Sequence, residues 1–361
     1  FQERIVEIGM KKKRIALVEI GGSHDECLLT QMHAIQSSGH EVVLITSPEV
    51  VDRNPAFAAY TNEVFTLNIT ELTRKVQVRK VWKIISSERL DIVVLNTAQG
   101  KVIRDLCLKA LFSKIEFVGI IHTTRMFTES FTQKIIHRKI KKYLLLSEYL
   151  KDKVSPQKGL SLEFFYPLRF PHSDQKIERS NKQIAIIGGV EERRKDLNGF
   201  LEMIQTIQDK KVRFVFLGKS DPEKPEVQPF LNAISEAGLE DRVKTYDHFV
   251  SQEEFDQVVR SSDLILPLVH PNTPSADQYF RNQISGAMTV SFGYKVPMMI
   301  HKEYGHIEEM HTAAFYYRLE TFPQDLENAL VNTEKASEEM QQHLPYSTEE
   351  QERRYADFLE L

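Results

Sequence analysis

The sequence has little of what disulfide-bonded, metal-binding or membrane-spanning proteins need. Of its 361 residues only Cys27 and Cys107 are cysteines, and neither has a histidine partner at metal-binding spacing. Both lie in apolar helical patterns, so we expect reduced thiols in the core of a cytoplasmic protein. The longest apolar runs are strand-sized, so we expect no transmembrane helix. Residues 1–13 have no apolar stretch and no small-residue cleavage site, so we expect no signal peptide.

The sequence also lacks an excess of positive charge. Its formal net charge is −4, and no stretch interleaves aromatic and basic residues, which argues against nucleic acid as a partner. One basic cluster, Lys11 to Lys13, precedes the first predicted strand. Such a cluster is usually a solvated flank, and the alternative is weak attraction to an anionic membrane. We therefore expect a cytoplasmic protein, and a peripheral contact with the inner face of the membrane stays an alternative.

Several catalytic motifs are absent. The sequence has no D-x-D pair, no P-loop and no G-x-S-x-G, and no two carboxylates stand at a convincing acid–base spacing. The turn GGSHDE at 21–26 is rich in glycine but departs from the dinucleotide fingerprint G-x-G-x-x-G. We therefore expect metal-independent chemistry and no bound cofactor.

What the sequence does contain is a regular alternation of strand-sized and helix-sized segments. Strands are predicted in the first half at 14–20, 41–46, 64–67, 91–95, 117–121 and 142–146. In the second half they are predicted at 184–187, 213–217, 243–246, 264–267, 296–300 and 313–317. Because helical patterns separate most of them, the sequence predicts an α/β fold of two doubly wound Rossmann-like domains that face a cleft.

The domain boundary is predicted in a segment with two prolines and a polar run, 165–181. We assign residues 1–170 to the first domain and 171–345 to the second. Residues 346–361 predict a C-terminal helix, which would return to the first domain. A length of 361 residues supports this division because single cores rarely grow so large.

Ligands of doubly wound sheets bind beyond the carboxyl ends of the strands. Two histidines lie at such ends and are candidates for a catalytic role. His122 is the stronger candidate, because polar residues follow it directly, whereas His24 is equally well explained as a helix-start residue. A lone histidine at a strand end is more often a structural hydrogen-bonding residue. The first-domain residues predicted on this rim are Gly21, Gly22, His24, Asn96, His122, Thr123 and Ser147.

The most informative segment is 184–199, IAIIGGVEERRKDLNG. It predicts a buried strand, a glycine turn at 188–189, the basic triplet Arg193, Arg194 and Lys195, and a helix start. A glycine turn lets backbone N–H groups approach a ligand, and a helix N-terminus favours anions. The segment therefore predicts a phosphate or diphosphate site, and the alternative is an ordinary turn followed by a solvated basic cluster.

The order of elements over nearly the whole chain, together with this basic turn, resembles the GT-B glycosyltransferases, in particular the retaining family 4. The resemblance implies that the first domain carries the acceptor, that the second holds the donor diphosphate, and that His122 is the catalytic residue facing the donor sugar. It also implies that the nucleotide base rests on the backbone around 248–250. The candidate substrate-binding residues are Gly22, Gly189, Arg193, Arg194, Lys195, Gly218, Lys219, Phe249, Val250, Asn282, Ser285, Gly286 and Thr289.

The chain departs from that family in the donor site. The family has two glutamates eight residues apart, the second seven residues before a proline. Counted from Pro297, these positions hold Asn282 and Val290. Asp277 and Gln278, with Asn282, are candidate substitutes for the missing carboxylates. The small residues from Ser285 onward would still let a phosphate approach the N-terminus of the next helix.

The resemblance implies a hexosyltransferase of polysaccharide biosynthesis, which moves a sugar from a nucleotide-diphosphate sugar to a saccharide or lipid-linked acceptor with retained configuration. Two alternatives stay open. The missing glutamates are compatible with a catalytically inactive homologue that acts as a binding or scaffold subunit. A sugar-nucleotide epimerase of the same two-domain shape is the other. The sequence leaves the donor, the acceptor and the oligomeric state undetermined.

Overall fold

A computed structural model describes residues 11–361 except 23, 126, 128, 129, 156, 172–176 and 178–181. The expected absence of a signal peptide therefore falls almost entirely outside the described residues, and so does much of the predicted linker at 165–181. None of the described helices is both long and apolar enough to span a bilayer.

The first domain is built on a seven-stranded parallel sheet in the order β3-β2-β1-β4-β5-β6-β7. Its central strands are almost fully buried because helices cover both faces of the sheet. The strands are β1 (Arg14–Glu19), β2 (Glu41–Thr46), β3 (Glu63–Thr66), β4 (Ile92–Leu95), β5 (Glu116–Ile121), β6 (Lys142–Leu145) and β7 (Ser161–Phe164). The helices are α1 (Leu28–Ser37), α2 (Pro48–Arg53), α3 (Arg74–Ser87), α4 (Lys101–Lys109), α5 (Phe131–Lys139) and α6 (Glu148–Lys153).

The second domain has a six-stranded parallel sheet in the order β10-β9-β8-β11-β12-β13. Its strands are β8 (Gln183–Ile187), β9 (Arg213–Lys219), β10 (Val243–Tyr246), β11 (Leu264–Ile265), β12 (Met298–His301) and β13 (Ala314–Tyr317). The longer helices are α7 (Leu197–Thr206), α8 (Val227–Glu236), α9 (Gln252–Arg260), α10 (Ala276–Arg281), α11 (Gly286–Tyr294), α12 (Phe322–Val331), α13 (Thr333–Gln342) and α14 (Thr348–Leu359).

Every predicted strand is present, but three details of the prediction were wrong. The strand predicted at 142–146, β6, is not the last strand of the first sheet, because β7 pairs with it in parallel and forms the edge of the sheet. Helix α5 follows β5 and had not been predicted. The amphipathic pattern over 322–334 predicts a single helix, but the helix is interrupted at Asn332, where the side-chain amide donates to the Asn328 carbonyl and ψ is 6°. Cys27 and Cys107 are buried free thiols, as predicted.

The C-terminal helix α14 packs against α1 of the first domain. The Tyr355 hydroxyl donates to Gln31 Oε1 at 3.1 Å, and Glu352 contacts His33 Nδ1 at 2.8 Å. Helix α14 thus ties the end of the chain to the first domain after the second sheet is complete.

A buried carboxylate, Glu309, joins the two domains on the β6 side. Its Oε2 accepts from the Tyr149 backbone N–H of the first domain at 3.2 Å and from the Tyr166 hydroxyl at 2.7 Å. Burial raises the pKa of Glu309 above its ordinary value of 4.5, in spite of these hydrogen bonds. The folded state therefore binds this proton more tightly than the unfolded state does.

We expect Glu309→Gln to reduce the pH dependence of stability. In the wild type, this group lowers the free energy of unfolding as pH rises from 4.5 through the raised pKa, by at most about 1.4 kcal/mol per pH unit. Urea denaturation between pH 4.5 and 7.5 measures the slope. The exposed neighbour Glu308 supplies the control Glu308→Gln, and equal slopes for both variants would contradict the assignment.

Candidate functional site

The glycines after β8 and β9 bring two loops into backbone contact. Gly188 turns the chain with a φ of 88°, which favours glycine. A Cβ on Gly189 would lie 2.0 Å from the carbonyl oxygen of Lys219, and one on Gly218 would lie 2.7 Å from the Gly189 nitrogen. Gly189 and Gly218, which the sequence placed in the substrate site, therefore have a packing role that any side chain would disturb.

The three cations of the basic triplet lie in different environments. Arg193 and Arg194 are about half exposed, and both contact the carboxylate of Glu191, at 3.3 and 3.4 Å. Lys195 is only 5% exposed. Its Nζ lies 3.1 Å from the place that a Cβ on Gly188 would take. Among the residues that the structure describes, no hydrogen bond or ion pair of this ammonium group is found, so it is a buried cation without an anion.

Because of this burial, Lys195 loses its proton at a lower pH than an ordinary lysine does. Burial lowers its pKa from 10.5 to about 8, and the positive charges of Arg194 and Lys224 act in the same direction, against the charge of Glu191. A bound anion would raise the pKa again, because it stabilises the ammonium form. Anion binding near pH 8 is therefore coupled to proton uptake.

The loop after β11 fixes the backbone on both sides of Lys195. The Asp196 N–H donates to the Leu268 carbonyl at 2.9 Å, and the Ser275 hydroxyl donates to the Arg193 carbonyl at 2.7 Å. Leu268 has a φ of 58°, unusual for a residue with a branched side chain. The basic segment is thus held in one conformation by a neighbouring loop.

A chain of polar side chains adds to this support. One oxygen of Asp196 accepts from the Gly199 N–H at 2.8 Å and so caps α7, while the other lies 2.8 Å from His270 Nδ1. His270 Nε2 lies 2.5 Å from the Tyr317 hydroxyl, deep in the core. The hydrogen bond from His270 lowers the pKa of Asp196. Sequence reasoning missed this chain, because its members are far apart and the only signal was a histidine in the loop after a strand.

The start of α11 is the second predicted donor element. The Ser285 hydroxyl accepts from the Ala287 N–H at 3.3 Å and caps the helix. A Cβ on Gly286 would meet no heavy atom within 4 Å, so this position is open. Thr289 is buried and its hydroxyl donates to the Gly286 carbonyl at 2.9 Å. Only the open end of α11 is therefore accessible to a phosphate.

Asn282, the candidate substitute for a glutamate, lies where the domains touch. Its carbonyl oxygen accepts from the Thr124 N–H at 2.9 Å, two residues after His122. In the loop after β10, Phe249 is 60% exposed whereas Val250 is buried. Lys219 is exposed at the end of β9. The structure therefore leaves Phe249 and Lys219 accessible and uses Asn282 partly for contact between the domains.

The glycine turn of the first domain is filled by the protein's own carboxylate. Glu19, fully buried at the end of β1, accepts from the N–H groups of Gly21 at 2.6 Å and Gly22 at 3.0 Å. Its other oxygen accepts from the Asn96 amide at 2.7 Å. The Gly22 N–H is therefore occupied by Glu19, and the role of Gly22 in substrate binding stays a prediction.

The two rim histidines stack on each other, with ring centroids 3.7 Å apart. His122 is 6% exposed and its Nε2 lies 2.6 Å from the Asn96 carbonyl oxygen. Burial, helped by the charge of His24, lowers the pKa of His122 to about 3. Burial alone would lower the pKa of His24, but its hydrogen bond to Glu26 and the nearby acidic charges raise it. His122 is therefore neutral, and the more exposed His24 takes the proton.

A cavity of about 890 Å³ opens at the side of the cleft, between the loop 54–60, the linker residues 169–171, α9 and the start of α14. It contains none of the predicted donor residues. Within the described part of the chain, no group of three metal-ligating side chains is found.

Comparison with solved structures places this arrangement in a known fold. The Anabaena protein HepE, solved with UDP and glucose, aligns with a TM-score of 0.70 over 96% of this chain and 99% of its own, at 14% identity. A glycosyltransferase from Rickettsia africae ESF-5 aligns with a TM-score of 0.65 over 97% and 99%, at 12% identity. The chain has the GT-B fold. The predicted pair of Rossmann-like domains is thereby confirmed.

One of the similar structures is assigned a different reaction. A Listeria monocytogenes protein assigned as a UDP-N-acetylglucosamine 2-epimerase aligns with a TM-score of 0.66 over 97% of this chain and 98% of its own, at 14% identity. No protein-family model and no curated protein matches the sequence. At such identities the GT-B likeness shows the fold, and the reaction has to be argued from the site.

Proposed function

We propose that the protein is a glycosyltransferase that moves a hexosyl group from a nucleotide-diphosphate sugar to a saccharide or lipid-linked acceptor. The observation that carries the proposal is the Lys195 ammonium group, which is buried beside the Gly188 turn and makes no hydrogen bond or ion pair with the residues that the structure describes. A buried charge is costly unless it is paired. The diphosphate of a donor would supply the missing negative charge.

In this proposal the second domain stabilises the leaving group. As the bond between the anomeric carbon and the diphosphate oxygen breaks, negative charge develops on the diphosphate. Lys195 would neutralise it at short range, and the half-exposed Arg193 and Arg194 would add longer-range attraction. Such preorganised stabilisation is often the largest catalytic contribution. No metal ion is needed for this step, and closure of the cleft would limit hydrolysis of the donor.

His122 would act from the first domain as an orienting group. Since its Nε2–H is used by the Asn96 carbonyl, the neutral ring has only Nδ1 left, which accepts hydrogen bonds. It would therefore hold a sugar hydroxyl as an acceptor, not as a donor. Retention of the anomeric configuration, which the resemblance to family 4 implies, is part of the proposal.

The epimerase is the second candidate, because a GT-B protein assigned to that activity aligns over nearly the whole chain. Both reactions use the same diphosphate site, so binding alone does not separate them. NMR of the products does: a transferase needs an acceptor for turnover, whereas an epimerase changes the sugar without one. A scaffold homologue would bind a nucleotide and give neither product.

We expect nucleoside diphosphates to raise the melting temperature more than the corresponding monophosphates do. A ligand that binds only the native state at 100 times its Kd adds about 2.7 kcal/mol of stability. A thermal-shift panel of UDP, GDP and ADP with their monophosphates and sugar conjugates measures this. The proposal fails if no diphosphate shifts the melting temperature at millimolar concentration.

A further inference from the structure

Helices α3, α4 and α5 form one layer on the first sheet, with α4 packed between the other two. Their charge differs sharply from that of the whole chain, whose net charge is −4. Helix α3 has five Lys or Arg residues and no acid; the segment 101–114 has four and a single acid, Asp105; and α5 has three and none. This layer, which we call the basic face, is positive on a protein that is negative elsewhere.

Most of the charges of the basic face are exposed to solvent. Asp105, its one carboxylate, is neutralised by Arg74 at 3.0 Å and Arg104 at 2.6 Å. Within the described residues, the exposed cations of the three helices and the adjoining turn make no other ion pair. These cations are Lys75, Arg79, Lys80, Lys83, Lys101, Lys109, Lys114, Lys134 and Arg138.

Large apolar side chains are exposed among these cations. Phe112, just after α4, is 96% exposed, and Leu108 is 44% exposed one helical turn before it. In the sequence Lys109 lies between these two residues and Lys114 follows Phe112 by two positions. Phe131, the first residue of α5, is 75% exposed. Cations that surround exposed apolar side chains are typical of proteins that lie on membranes.

We propose that the basic face docks on an anionic lipid surface. The cations would lie at the headgroups, and Leu108, Phe112 and Phe131 would enter the boundary with the acyl chains. Exposed aliphatic and phenyl groups favour lipid over nucleic acid, since the phosphate backbone offers Leu108 nothing to bury against. This binding needs no nucleotide, so it goes beyond the proposed transfer reaction.

The lysine cluster at 11–13, which the sequence suggested for such contact, is less suited to it. Lys12 contacts Glu41 at 3.0 Å, Lys11 lies 3.7 Å from Asp91, and Lys13 Nζ donates to the Glu360 carbonyl at 2.6 Å. These cations are directed towards the protein's own acceptors, whereas the nine exposed cations of the basic face make no ion pair with the described residues.

Co-sedimentation of the full chain with vesicles tests the proposal. We expect binding to phosphatidylcholine vesicles that contain 30% phosphatidylglycerol, with a steep loss between about 0.1 and 0.5 M salt, and no binding to pure phosphatidylcholine. The double variant Lys109→Glu/Lys114→Glu should bind about tenfold more weakly or worse, and Phe112→Ala several-fold more weakly.

The control carries the same charge change on the second domain, Lys210→Glu/Lys211→Glu, and should bind as the wild type does. Circular dichroism and the UDP thermal shift check that each variant is folded with an intact donor site. Equal binding by the variants and the control would overturn the proposal. So would binding of a single-stranded oligonucleotide in preference to anionic vesicles.

Discussion

Replacing Lys195 by alanine is expected to weaken the binding of a nucleoside diphosphate by roughly 10- to 100-fold, the loss of one or two charge-assisted hydrogen bonds. The effect is large because this cation is buried, so solvent and salt screen it little. Arg193→Ala and Arg194→Ala should each cost less, since both side chains are half exposed and contact Glu191. Isothermal titration with UDP and GDP at pH 7 measures all three variants.

The pH dependence of binding gives a second test of Lys195. Its pKa in the free protein is about 8, so below pH 8 it is charged and ready for an anion. Above pH 8 the association constant should fall by up to tenfold per pH unit, because binding must first restore the proton. Titration near pH 8 in buffers of different ionisation enthalpy should show proton uptake. The Lys195→Ala variant should show neither effect.

A matched lysine in the same domain controls for general loss of charge. Lys182, which precedes β8 and lies 3.2 Å from Asp209, is at the opposite end of that strand from Lys195. Lys182→Ala should bind as the wild type does. If Lys195→Ala kept wild-type affinity while the wild type bound UDP, the diphosphate would lie elsewhere in the cleft, and the mechanism proposed here would be wrong.

The fold could be predicted from the sequence because its strands are short, β-branched and buried on both faces. Strand β7, SLEF, gave no such signal, since as an edge strand it has one face and one edge outside the core. Helix α5 was missed because six of its nine residues are polar or charged and the segment before it has no periodic pattern. Periodicity reports burial, so elements with little burial leave little signal.

The candidate site could be located from the sequence, but its chemistry could not. A triplet of adjacent cations does not reveal which member is buried, since the loop after β11 decides that by holding Arg193 and Asp196. Likewise, the sequence does not show that the backbone N–H of Gly22, a candidate substrate-binding residue, donates to Glu19, three residues earlier. Which acceptor a backbone N–H group donates to depends on the folded structure, so the sequence alone does not reveal it.

The two donor-site glycines should respond to alanine in opposite ways. In Gly189→Ala the added methyl would meet backbone atoms, the Lys219 carbonyl oxygen at 2.0 Å and the Ser220 nitrogen at 2.9 Å. The backbone atoms of these loops can move little to make room for the methyl group. We therefore expect a loss of about 3 kcal/mol in the free energy of unfolding. In Gly286→Ala the methyl would meet nothing within 4 Å, and the helix propensity of alanine should leave stability unchanged or slightly higher.

Measurements of UDP binding show whether each glycine affects the ligand or only the stability of the fold. If the donor diphosphate approaches the open end of α11, the methyl of Gly286→Ala occupies part of that approach, and affinity for UDP should fall although the protein is as stable as the wild type. Urea denaturation and titration calorimetry on the same samples give both quantities. Wild-type affinity in Gly286→Ala would remove α11 from the donor site, and wild-type stability in Gly189→Ala would contradict the close packing of the loops after β8 and β9. Since the two glycines differ only in what surrounds them, this pair tests whether the site combines a rigid turn that presents Lys195 with a helix end left open for phosphate.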